Sequence, residues 1–148
     1  MAVLVAVLPQ ILDWYYEKVN RPLKVEVVRP ISKVNPAFGG LLRFKVRNRI
    51  RSAVSVQVSP AHHVKWTGTE IVGLLFDTPR VTIFPSNEQA WSFWLPGHDS
   101  REVEITWPVR SGILHGTEQI SPVVFANRFH PQEIPLGPFD VVVDPAVT

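Results

Sequence analysis

The sequence predicts an all-β fold, an antiparallel sandwich of two packed sheets with one short helix near its start. Three observations predict it. Apolar residues recur with a period of two in many short segments, the signature of half-buried strands. The 14 prolines outnumber the 8 glycines and cut the chain into strand-length intervals that suit no long helix. The 148 residues, with 45% hydrophobic and 19% charged side chains, suffice for one domain with its own core.

Ala2 to Leu8 is wholly apolar, and Pro9 follows it. The run is far shorter than the roughly 20 residues that span a bilayer, and it lacks the basic start and cleavage site of a signal peptide. From Pro9 the period changes. Leu8, Ile11, Leu12, Tyr15 and Val19 recur at spacings of three and four, so 9–19 reads as a short amphipathic helix. Pro9 suits its first turn, and Asn20-Arg21-Pro22 ends it.

Alternation begins at Leu23, Val25 and Val27 and returns at Leu42, Phe44 and Val46, then at Val54, Val56 and Val58. Val81 with Ile83, Trp91 to Leu95, and Val103 to Trp107 continue it. Val123 to Phe125 and Phe139 to Val143 read as two more strands, and Glu70 to Phe76 as another. Turn residues separate these segments at spacings expected of a sandwich. The expected organisation is an apolar arm with helix at 1–20, a β-sandwich at 21–120, and a proline-rich extension at 121–148 carrying one or two strands.

The stretch from Leu23 to Arg110 resembles the immunoglobulin-like β-sandwich group in its broad sense, which includes fibronectin-type and surface modules. LKVEVV leads through Pro30 and Pro36 to Gly39-Gly40, and LLRFKVRN follows. Asn48 stands where many such modules place an asparagine that closes a strand. AVSVQVSP and REVEITWPV complete the pattern. No cysteine pair flanks a core tryptophan, because the chain has no cysteine. A jelly roll has similar strand counts and stays open as the alternative. Neither architecture specifies a function.

The residues point away from catalysis. Absent cysteine excludes thiolate metal sites and a thiol nucleophile. No G-x-S-x-G elbow or phosphate-cradling glycine loop occurs. Glu102 and Glu104 share one strand face and read as partners for neighbouring bases. His62 and His63 are adjacent, so on an extended chain they point apart and do not chelate one ion together. No catalytic residue, metal or cofactor is expected.

Charge is the clearest local signal. Between Lys18 and Arg51 ten bases stand against one acid, Glu26, although the whole chain carries only +2. Arg43, Lys45, Arg47, Arg49 and Arg51 all hold odd positions and in an unbroken strand share one face. Either Glu26, Glu102 and Glu104 on neighbouring strands answer this stripe, or a polyanion or acidic partner does. Nucleic acid fits less well, since aromatic residues do not interleave with the bases. Trp91 and Trp107 fall in the core phase, whereas Trp94 falls opposite: either it is exposed, to stack on sugar or anchor an interface, or it packs beneath the N-terminal helix or the tail.

The ends suggest assembly. Val3, Leu4, Val5, Val7 and Leu8 form a β-prone, uncharged strip that needs cover from this chain or a neighbour. The tail from Ser121 ends in the strand-like FDVVV, and extended arms of this kind add strands to partners. The leading expectation is a non-enzymatic structural or accessory subunit of a virion or cell-surface assembly, homo-oligomeric or joined to other proteins. A glycan- or polyanion-binding module is the alternative. A third reading is a soluble domain of a membrane-associated protein, with residues 2–16 touching the membrane surface. High proline and absent cysteine also fit a heat-tolerant source.

Overall fold

The structure, a computed structural model, describes residues 21–59, 75–128 and 131–147. In chain order the strands are β1 (Leu23–Arg29), β2 (Lys33–Val34), β3 (Gly40–Asn48), β4 (Val54–Ser59), β5 (Arg80–Phe84) and β6 (Glu88–Gln89). They continue as β7 (Ser92–Leu95), β8 (Ser100–Trp107), β9 (Gly116–Ile120), β10 (Val123–Asn127), β11 (Gln132–Pro135) and β12 (Phe139–Val143). The described residues contain no helix. The expected helix at 9–19, the apolar strip at 2–8 and most of the expected strand at Glu70 to Phe76 lie outside them.

One sheet has the order β1-β3-β8-β5-β6 and another β11-β10-β4-β7, both antiparallel throughout. A smaller third sheet, β2-β12-β9, contains a parallel pairing of β2 with β12. The alternation read from the sequence is what packs the domain. Leu42, Phe44 and Val46 of β3 and Val103, Ile105 and Trp107 of β8 face inward. They share one core with Val54, Val56 and Val58 of β4 and with Val124 and Ala126 of β10. Each such side chain contributes roughly 1.5–3 kcal/mol relative to an exposed one, so this period-two pattern is the main source of stability.

The described residues of 121–148, the segment expected as an extension, form β10, β11 and β12. β10 pairs with both β4 and β11, and β12 pairs with both β2 and β9. Val123, Val124, Val141 and Val143 are buried. The physical reason is the apolar character of its alternate positions, which the prolines punctuate without interrupting.

Trp107 is buried as its phase predicts, but Trp91 is 38% exposed. Trp91 precedes β7, an edge strand, so its inward direction is covered from one side only. At the start of β3, Gly39 takes φ +76°, and a Cβ there would stand 2.7 Å from the Trp107 carbonyl oxygen. Glycine is required for that close approach between the two central strands.

Candidate functional site

The basic stripe divides into two parts. Along β3, Lys45 stands directly opposite Glu26 on β1 and Glu102 on β8, and Arg43 opposite Glu104. Arg43 Nη2 lies 2.8 Å from Glu102, Nη1 lies 3.9 Å from Glu104, and the guanidinium covers the Phe84 ring at 4.6 Å. Glu102 and Glu104 therefore answer Arg43 within the sheet, while Lys45 stands in register with Glu26 and Glu102.

Toward the end of β3 that answer stops. Arg47 faces Lys24 on one side and Ser100 on the other. β3 terminates at Asn48, so Arg49 and Arg51 belong to the loop entering β4 and no longer continue a strand face. Arg49 caps the preceding segment: its backbone N–H donates to Pro22 O at 2.7 Å and its Nη2 to Arg21 O at 2.5 Å. Arg21, Lys24, Arg47 and Arg51 are all exposed here. Among the described residues of these loops the acid is Asp99, and it is bound to Arg101. The hydrogen bond from Arg101, reinforced by the Ser100 N–H, holds the Asp99 carboxyl below its ordinary value.

A single buried polar side chain among the described residues organises this end. Asn48 is fully buried, and its Nδ2 donates to the carbonyls of Ser52, Leu95 and Pro96 at 2.8, 3.1 and 3.2 Å. Its Oδ1 accepts the Ile50 N–H at 3.1 Å. One amide thus ties the β3–β4 loop to the β7–β8 loop, which explains an asparagine at the close of this strand. The two loops also touch directly. His98 N donates to Ile50 O at 3.0 Å, and a Cβ on Gly97 would lie 1.9 Å from Arg51 O.

On the outer face of the four-stranded sheet, Trp94 is 70% exposed, as its phase predicts. It stands opposite Ser55 on β4, and Ser55 in turn opposite Asn127 on β10. The next row places Ser92, Gln57 and Phe125 side by side. Asn127 Nδ2 donates to Gln57 Oε1 at 3.4 Å. Sequence reasoning found Trp94 but not Ser55, Gln57 and Asn127, whose meaning comes from register alone.

No family model and no curated protein matches the sequence. Among solved structures, the domain is similar to the Pseudomonas aeruginosa CupB2 chaperone, with TM-score 0.52 and 7% identity over 83% of this chain and 57% of that one. It is also similar to part of a family 123 glycoside hydrolase from Clostridium perfringens, with TM-score 0.51 and 10% identity over 82% of this chain and 27% of that one. The E. coli chaperone DraB gives TM-score 0.49 and 12% identity over 84% of this chain and 56% of that one. The fold is an immunoglobulin-like β-sandwich. At these identities the likeness is one of fold, and the chain spans little more than half the length of either chaperone.

Among the described residues no group of three metal-ligating side chains converges. His98 sits in a turn with φ 56°, and His115 is exposed. His62, His63 and the strip Val3, Leu4, Val5, Val7 and Leu8 lie outside the described residues.

Proposed function

We propose that this domain is a non-enzymatic accessory or structural subunit of a larger surface assembly, virion or cell surface, and that it joins its partners by strand addition. The observation that carries the reading is the free edge of β1. β1 is the first strand of the five-stranded sheet, and beyond it no further strand pairs among the described residues. Val27 and Val28 are 37% and 52% exposed on that edge. The pairing slips between Val27 and Arg29, which leaves two arginines, Arg29 and Arg43, opposite one another.

The Gln132 side chain takes the N–H and C=O of Leu23 at the start of this edge; beyond it the valine-rich edge offers backbone groups and apolar surface to an incoming strand. Among the C-terminal strands β10 and β12 are paired on both sides within the domain, so the β1 edge is the stronger candidate for assembly. The likeness of fold to the CupB2 chaperone supports a module of this kind.

The test is absolute mass by light scattering over a concentration series. The chain is expected to form oligomers that dissociate in Val28→Lys and in a chain lacking residues 1–8, with circular dichroism unchanged. A monomer at every concentration would overturn self-assembly through this edge.

A further inference from the structure

We propose that the outer face of the four-stranded sheet, where it meets the basic loops, is a docking surface for an acidic polysaccharide. Trp94 presents its indole on a strand whose backbone is fixed by pairing with β4. The neighbour directly across is only a serine, so no large side chain from that position covers the ring. Sugar rings present C–H faces that pack on an exposed indole, with hydroxyl groups at the rim seeking hydrogen bonds.

The row supplies those partners. Neighbouring strands lie about 4.8 Å apart, so Trp94, Ser55 and Asn127 span about 10 Å, the length of a disaccharide. The Asn127–Gln57 bond uses one amide hydrogen and one carbonyl oxygen. The Gln57 amine and the Asn127 carbonyl oxygen remain available for hydroxyls.

Charge determines which sugar. β7 leads directly into the loop Pro96 to Asp99, and that loop is hydrogen-bonded to Ile50 beside Arg51. Arg51 is exposed at this border. The local acid, Asp99, is occupied by Arg101. On the far side of the face, Glu133 already carries an interaction. A chain that stacks on Trp94 and runs toward this loop therefore meets the Arg51 guanidinium, which no acid pairs among the described residues, and this favours carboxylated or sulfated sugar units over neutral ones. Single-stranded nucleic acid fits less well, because it needs several stacking platforms in series and among the described residues this face offers one exposed tryptophan.

The experiment is calorimetric titration of the full chain, at low and high salt, with three probes. They are an oligogalacturonate, a neutral glucan oligosaccharide of equal length, and single-stranded DNA. The oligogalacturonate is expected to bind best and to weaken with salt. Trp94→Ala is expected to weaken it roughly tenfold, and Arg51→Ala several-fold. Both residues are exposed, so both variants keep the fold. Val28→Lys, on the opposite sheet, is expected to leave binding unchanged, which separates this site from the assembly edge. Absence of oligogalacturonate binding at low salt would overturn the proposal. So would binding indifferent to Trp94→Ala, preference for the neutral glucan, or tighter Trp94-dependent binding of DNA.

Discussion

Replacing Asn48 tests whether one buried amide holds the basic end together. Its side chain makes three donor contacts and one acceptor contact with no exposure to solvent. Asn48→Ala removes all four. Ser52 and Pro96 are exposed and their carbonyls can turn to water, and Leu95 keeps its pairing with Val54 in the ladder. Lost hydrogen bonds at about 1 kcal/mol each give an expected cost of about 2–4 kcal/mol. Asn48→Asp points carboxylate oxygen at three carbonyls and should cost more at neutral pH, about 3–5 kcal/mol. Burial raises the folded pKa of that introduced carboxyl above its unfolded value near 3.9. The penalty should accordingly be smallest in acid, where the group is neutral in both states, and grow as pH rises through the folded pKa. Urea unfolding at several pH values, with the m-value held constant, measures both. A cost below about 1 kcal/mol for Asn48→Ala, or an aspartate variant as stable as the alanine one at pH 7, would refute the reasoning.

Other expectations follow from the same geometry. Gly97→Ala should destabilise by about 1–3 kcal/mol, because the added methyl meets the Arg51 carbonyl and the two loops must separate; thermal unfolding reads it. Arg43→Ala loses the Glu102 ion pair and the contact over Phe84, and should cost about 1 kcal/mol in a half-exposed setting, partly salt-sensitive. Asp99 should titrate below its ordinary value of 3.8, and Arg101→Ala should move it back up, followed by carboxyl NMR. Because the folded pKa is depressed, its stabilising contribution is present above the ordinary value and is lost as pH falls through the folded one.

The core strands were legible because their sequence pattern and their burial have one cause. Phe44 and Ile105 are inward because every second residue beside them is apolar too. β9 (Gly116–Ile120) and β11 (Gln132–Pro135) were not legible: GTEQI and QEIP carry one strong apolar residue each, and partner strands rather than composition define them. β2 and β6 are two residues long, too short for any period. Trp91 misled because phase gives direction and not coverage; an edge strand points inward without being enclosed. The basic stripe was visible as spacing, but only register shows that Arg43 and Lys45 meet acids while Arg47 meets Lys24. The serine and amide row beside Trp94 has no sequence signal, since its members lie on three separate strands.

The closure of the domain by its last strands has a consequence in time. Leu23 N bonds the side chain of Gln132, 109 residues later, and Asn35 Nδ2 reaches Val147 O, 112 residues later. Synthesis at roughly 5–20 residues per second separates the making of these partners by several seconds to about twenty. Throughout that interval the valine-rich β4 waits without β10, which covers one of its edges. The growing chain is thus most vulnerable to wrong strand pairing before β10 appears, and slowing translation ahead of β4 should harm its yield less than slowing it between β4 and β10.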